Sequence, residues 1–246
     1  MGPRMSRIRQ YGTINTLIGG LFDGTFEFDG LFESDEIGLG AFHALDGEMI
    51  FFDGTCYQVL ADGSVRVADT KGRTPYATFG SFKEPRTFDL EGIDGFDVLS
   101  GRLDAALGDL NRPALVRVDG RFSRLKTRSI HSQSKPYQGF TAVVKSQEIF
   151  ERSEVEGTIL GVRFPEYLQV LQVAGWHLHA LSSDATFGGH LLEIQVDVAR
   201  VTIESADSFE VHLPDTEAFR EAILPIDIHA EVQGAERDPT RSNESD

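Results

Sequence analysis

The stretch Leu192-Glu193-Ile194-Gln195-Val196-Asp197-Val198 alternates apolar and polar residues without a break. A period of two marks a half-buried β-strand, because successive side chains point to opposite faces of a sheet. Val201 and Ile203 resume the pattern after Ala199-Arg200, which predicts a hairpin turn there, and Phe209, Val211 and Leu213 extend it. Upstream, Ala114 to Arg128, Thr158 to Phe164 and Trp176 to Leu181 read as strands. Met49 to Phe52 and Cys56 to Leu60 flank Asp53-Gly54, a dipeptide suited to a tight turn, and Val65 and Val67 alternate beyond Ala61-Asp62-Gly63. Helical spacing is scarcer. Leu99, Leu103, Ala106, Leu107 and Leu110 form one stripe over Phe96 to Leu110, closed by Asn111 and Pro113. A shorter helix starts at the capping residue Thr13 and carries Ile14, Leu17, Ile18 and Leu21, and another covers Thr216 to Ile223. The polar stretch Thr127 to Gly139, with Pro136, predicts a loop. The pattern specifies an α+β fold with mixed and antiparallel β-sheets, a few helices and a strand-dominated C-terminal half.

Composition bounds what such a fold can do. The chain has 246 residues, 40% hydrophobic and 25% charged, which is ordinary globular composition. It carries 39 acidic against 23 basic residues, a formal net charge of -16. That charge opposes binding to nucleic acid or to an anionic membrane, and neither partner is expected. Cys56 is the only cysteine, so an intramolecular disulfide and a cysteine-based zinc finger are both excluded. Residues 1–10 read as a loose leader followed by no apolar run, and no segment approaches the roughly 20 apolar residues of a membrane span. A cytoplasmic protein is expected.

Three of the seven histidines cluster in Gly175-Trp176-His177-Leu178-His179 and Gly188-Gly189-His190. On a strand, His177 and His179 project from one face, and a turn at Ser182-Ser183-Asp184 can return the chain so that His190 faces them. Three neutral imidazoles with one open position is the donor set of catalytic zinc, although imidazole also suits iron, copper and nickel. The bland alternative is a polar, solvated strand face. His43, His131, His212 and His229 stand alone and read as structural or surface residues.

Glu48 precedes the apolar strand from Met49 to Phe52. It reads either as a surface charge or, if buried, as a carboxyl with a raised pKa suited to proton transfer. Glu236 is one acid among many near the C-terminus. Arg124, Lys126, Arg128 and Lys135 make the most basic stretch, and Arg128 could clamp a small carboxylate or simply be solvated. The chain has no dinucleotide fingerprint, no Walker A sequence and no Gly-x-Ser-x-Gly elbow, and Cys56 reads as a packed small hydrophobe.

These motifs together resemble the alpha-acetolactate decarboxylase family. The resemblance runs from about Gln10 to about Glu236 and includes Gln10-Tyr11-Gly12-Thr13-Ile14-Asn15, Gly38-Leu39-Gly40, Leu45-Asp46-Gly47-Glu48-Met49-Ile50, Lys126-Thr127-Arg128, Lys135-Pro136-Tyr137 and the two histidine blocks. It implies one zinc ion held by His177, His179 and His190. It implies catalytic roles for Arg128, Glu48 and a C-terminal glutamate, assigned to Glu236 with Glu231 as a competitor. It also implies a two-part fold and a homodimer. The parts expected are a leader at 1–10, an α/β part at 11–145, a β-rich zinc-binding part at 146–230, and a tail at 231–246 that supplies the site glutamate and is otherwise disordered. The implied reaction is zinc-dependent decarboxylation of 2-acetolactate to (R)-acetoin and CO2. Zinc chelates the hydroxyl and ketone oxygens, and the resulting enediolate is protonated on one face without an organic cofactor. Ala41 departs from the threonine that such sequences commonly carry after Gly-Leu-Gly. Two other classes share the histidine pattern: a β-barrel oxygenase or isomerase, and a metal-storing or metal-sensing module without turnover.

Overall fold

The computed structural model describes residues 5–228. The chain opens with β1 (Arg7–Tyr11), α1 (Ile14–Ile18), β2 (Phe26–Glu27), β3 (Ile37–Ala41), β4 (Glu48–Phe52) and β5 (Thr55–Val59). There follow β6 (Val65–Val67), β7 (Arg73–Thr74), β8 (Tyr76–Gly80), β9 (Arg86–Asp94), α2 (Phe96–Leu107) and β10 (Ala114–Ser129). The last elements are α3 (Phe140–Lys145), β11 (Glu148–Phe164), β12 (Gly175–Ser182), β13 (Gly188–Ser205), β14 (Ser208–His212) and α4 (Glu217–Glu221).

Two sheets carry the architecture. The larger has seven strands in the order β14-β1-β8-β3-β4-β5-β6, mixed because β1 and β14 run parallel. The second has five strands, β10-β11-β12-β13-β9, all antiparallel. Because β10 also pairs with β13, the strands β10 to β13 close on themselves into a ring. Period-two alternation assigns the ring's faces. Val116, Val118, Ile159, Trp176, Leu178 and Ala180 point to one side, where Leu99, Leu103 and Leu107 of α2 cover them. Leu115, Leu160, Val162 and Leu181 point to the other, where they pack on Ile8, Ile37, Leu39, Ile50 and Val59 of the seven-stranded sheet. His177 and His179 lie four and two residues before Leu181 on β12, so they face the seam between the sheets.

The structure corrects several expectations. Residues 7–10 of the supposed leader belong to β1, which lies between β14 and β8. The buried Arg9 disguises this strand, because its charge is matched by Glu36 at 2.5 Å, far off in sequence. There is no hairpin at Ala199-Arg200, since β13 runs unbroken from Gly188 to Ser205. The change of phase is a β-bulge: β10 pairs Arg121 with Val198 and Phe122 with Val196, leaving Asp197 as the extra residue. The long helix stops at Leu107, where Gly108 takes a left-handed cap (φ 72°) and its N–H bonds Asp104 O, so Leu110 is exposed. Finally, the sheets do not divide after residue 145, because β9 and β10 precede that point yet belong to the histidine-bearing sheet, while β14 returns to the first.

Leu103 is fully buried under the ring. Leu103→Ala should cost about 2–5 kcal/mol, read as a lower urea midpoint with an unchanged slope.

Candidate active site

His177 and His179 descend from β12, and His190 comes from the start of β13, opposite His179 in the ladder. All three are buried. Two glycines make this approach possible. A Cβ on Gly188 would lie 2.6 Å from Ala180 O. One on Gly189 would lie 2.4 Å from Arg128 O, and Gly189 has φ +127°, a region side chains avoid. The glycines therefore let β13 press against β12 and β10 at once. The ring centroids stand 5.0 Å (His177–His179), 5.0 Å (His177–His190) and 5.4 Å (His179–His190) apart. One nitrogen from each ring falls within 4.8 Å of the other two.

The seven-stranded sheet supplies the rest. Nδ1 of His179 donates to Met49 O at 2.8 Å, which fixes the tautomer and leaves Nε2 as a lone-pair donor. Glu48, one residue earlier on β4, follows Gly47 (φ +86°), where a Cβ would sit 2.2 Å from Val59 O. Its Oε2 lies 3.5 Å from His179 Nε2 and its Oε1 accepts from Arg128 Nη1 at 2.7 Å. Arg128 stands near the end of β10 opposite His190, its partner in the ladder. The guanidinium's Nε is buried with no hydrogen-bond partner, as are His177 Nδ1 and His179 Nε2.

Electrostatics favour neutral imidazoles. Burial, reinforced by the charge of Arg128, holds His177 and His190 well below the ordinary histidine range and pushes His179 down to about 3. Burial raises the Glu48 carboxyl, and Arg128 partly opposes the shift. A small cavity of about 50 Å³ opens beside His177, Glu48 and Arg128, and its remaining wall is mostly hydrocarbon, including Leu17, Ala41, Leu45, Phe140 and Val173. Leu45 reaches it from a left-handed backbone (φ 54°), a conformation costly for a side-chain-bearing residue and concentrated at functional sites.

The alpha-acetolactate decarboxylase family model matches residues 8–225. The chain belongs to that family. Among decarboxylase relatives, it is 34% identical to the enzyme of Methanosarcina mazei over 93% of this chain and 79% of the relative. It is 31% identical to that of Bacillus subtilis over 96% and 92%. A crystal structure of the Bacillus subtilis decarboxylase superposes with a TM-score of 0.90 at 31% identity, covering 95% of this chain and all of the other.

The candidate site joins residues that sequence reasoning named separately. His177, His179, His190, Glu48 and Arg128 converge, whereas Glu236, Glu231 and His229 lie outside the described residues. The other named histidines stand apart: His43 accepts from Gly24 N–H, His131 pairs with Glu148, and His212 stacks on Tyr11. Cys56 is buried and its thiol is pushed up to about 12, which removes it as a nucleophile. The polar stretch after Lys126 is no loop at first. Thr127, Arg128 and Ser129 are buried strand residues, because Thr127 Oγ1 donates to Gly188 O and Ser129 Oγ to Val59 O, each at 2.8 Å. The basic residues are matched by acids: Arg124 pairs with Glu151 and Glu193, Arg128 with Glu48, and Lys135 with Asp23. The Met49 carbonyl and the wall residue Tyr76 were missed, and neither carries a local signal.

The residues fit a metal. Three buried, neutral imidazoles, each with a nitrogen within 4.8 Å of the other two, are a ready set of ligands, and burying them has no apolar explanation. In the metal-free protein the three depressed histidines bind protons in the unfolded chain before the folded one. Stability should therefore be complete above about pH 6.5 and fall as pH drops toward 3. Glu48 opposes this in the acid range, because its raised carboxyl takes up a proton earlier in the folded state. Urea unfolding across pH 7 to 4 checks the slope, which should flatten in His179→Phe.

Proposed function

We propose that this protein decarboxylates 2-acetolactate to (R)-acetoin and CO2 with zinc held by His177, His179 and His190. One observation carries the reading: the three-imidazole cluster stands against a buried carboxylate–guanidinium pair at the edge of a small apolar cavity. Zinc, when bound there, supplies a Lewis acid for the substrate's hydroxyl and ketone oxygens.

The chain's own residues perform the remaining work. Arg128 presents its unpartnered Nε toward an anion and takes the carboxylate of the substrate. The hydrocarbon wall excludes water and faces the two methyl groups. The bond from C2 to the carboxylate carbon breaks, CO2 departs, and the electron pair passes to the neighbouring ketone. One proton must then be added to C2, on one face only. Glu48 is a better source than Arg128, because burial raises its carboxyl while a guanidinium releases protons only far above neutral pH. Glu48 also holds Arg128 in place through the 2.7 Å hydrogen bond.

Glu236 joins the site in this proposal, with Glu231 as its competitor. Ile228, the last described residue, is buried in one apolar cluster with Leu45, Tyr76 and Val173, which also line the cavity. A cytoplasmic homodimer is carried from the family resemblance, and sedimentation velocity tests the dimer. Among the described residues no helix is long and apolar enough to cross a membrane.

The experiment is acetoin formation from racemic 2-acetolactate before chelation, after it, and after zinc is restored. Activity should vanish and return, and iron with oxygen should not be required. His179→Ala should lose both zinc and CO2 release, and wild-type turnover in that variant would sink the proposal. Glu48→Gln should keep zinc and lose about 10²- to 10⁴-fold in kcat. Glu236→Gln should lose activity with zinc retained, and a loss confined to Glu231→Gln would transfer the role.

A further inference from the structure

Three cavity-lining residues fall on a single row across the seven-stranded sheet. Ala41 of β3 lies opposite Glu48 of β4 on one side and opposite Tyr76 of β8 on the other. Residues opposite one another on adjacent strands share a face, and adjacent strands run about 4.8 Å apart. The carboxylate and the aromatic ring are therefore separated by two strand spacings with only a methyl group between them. All three line the cavity beside His177 and Arg128. The row forms a recess with a carboxylate at one end, a methyl floor and an aromatic ring at the other end.

The aromatic end is held rigidly. The Tyr76 hydroxyl donates to Gln172 Oε1, which also accepts from Val173 N–H at 2.8 Å. Nε2 of Gln172 donates to Gln10 Oε1 at 2.7 Å and to Thr78 Oγ1 at 2.8 Å. Thr78 in turn donates to Gln10 Oε1 at 3.0 Å, and Gln10 Nε2 to Leu171 O at 3.0 Å. Gln10, Thr78 and Gln172 have no solvent exposure. A buried network with its groups paired holds one geometry, since any shift leaves a polar group unsatisfied. It ties the ring of Tyr76 and the backbone at Val173, two parts of the cavity wall, to the core of the sheet.

Resting on the decarboxylase reading, we propose that the recess over Ala41 seats the alkyl substituent on C2 of a 2-hydroxy-3-oxo acid. Ala41 sets the depth of the recess and Tyr76, fixed by Gln172, sets its length. The site is thereby a gauge for substituents of methyl to ethyl size. In a cavity of about 50 Å³, two added carbons on the floor compete directly with one added carbon on the substrate. One methylene in an apolar pocket discriminates by about 10- to 200-fold.

The test is kcat/KM for 2-acetolactate and for its 2-ethyl homologue, measured on zinc-loaded wild type, Ala41→Val and Tyr76→Phe. Ala41→Val should move the selectivity ratio toward the methyl substrate by about tenfold or more. Tyr76→Phe releases the ring from Gln172 and should move the ratio the other way. If Ala41→Val loses its cooperative melt, Ala41→Ser takes its place with a smaller shift in the same direction. Ratios within about twofold of wild type in the variants, or ratios that move together, overturn the proposal. Folded, zinc-loaded wild type that releases CO2 from neither substrate would instead overturn the decarboxylase reading, a result distinct from turnover with unchanged selectivity.

Discussion

The hydrogen bond from His179 Nδ1 to the Met49 carbonyl joins the two sheets at the point where their chemistry meets. It crosses from β12 to β4, and it sets more than a distance. It gives the proton of the imidazole to Nδ1 and so leaves the lone pair on Nε2. The carbonyl belongs to the residue after Glu48, so the same turn of β4 that orients the ring also brings a carboxylate to its far side. A shift of one residue in β4 would exchange the faces of Glu48 and Met49 and separate both from the histidines.

Keeping these groups away from water is costly, and the structure offsets that cost by pairing. Arg128 and Glu48 satisfy each other in part, Thr127 and Ser129 turn their hydroxyls onto backbone carbonyls of neighbouring strands, and Gln172 spends both ends of its amide. The atoms left over are instructive. Buried polar groups are nearly always paired, so the unpartnered nitrogens of His177, His179 and Arg128 mark where a metal and an anion would complete the shell.

Much of this was legible in the chain. The alternation from Leu192 onward, the Asp53-Gly54 turn and the leucine stripe of α2 report local periodicity, and local periodicity is what a sequence displays openly. The His-x-His pair worked for the same reason, because a period of two is a statement about one face. What escaped depended on distant partners. Arg9 looks like surface until Glu36 neutralises it, and the Asp197 bulge imitates a turn because only its pairing with β10 reveals that the strand continues. Tyr76 and the Met49 carbonyl carry no local mark at all, since their roles arise from the register of strands brought together from separate parts of the chain. Glu236 was named through resemblance alone and lies outside the described residues.

The ring of β10 to β13 is not equally strong around its circumference. Long ladders join β10 to β11 and β10 to β13, but β12 meets β13 through only three residue pairs, His179 with His190, Ala180 with Gly189 and Leu181 with Gly188. The first of those pairs consists of two of the three clustered histidines. A metal at this position would act as a clasp, bridging the narrowest join in the barrel with bonds far stronger than the few ladder hydrogen bonds there. Ligand set and mechanical closure are then the same residues, and the Gly188-Gly189 pair that lets the strands touch serves the barrel's shape as much as its chemistry.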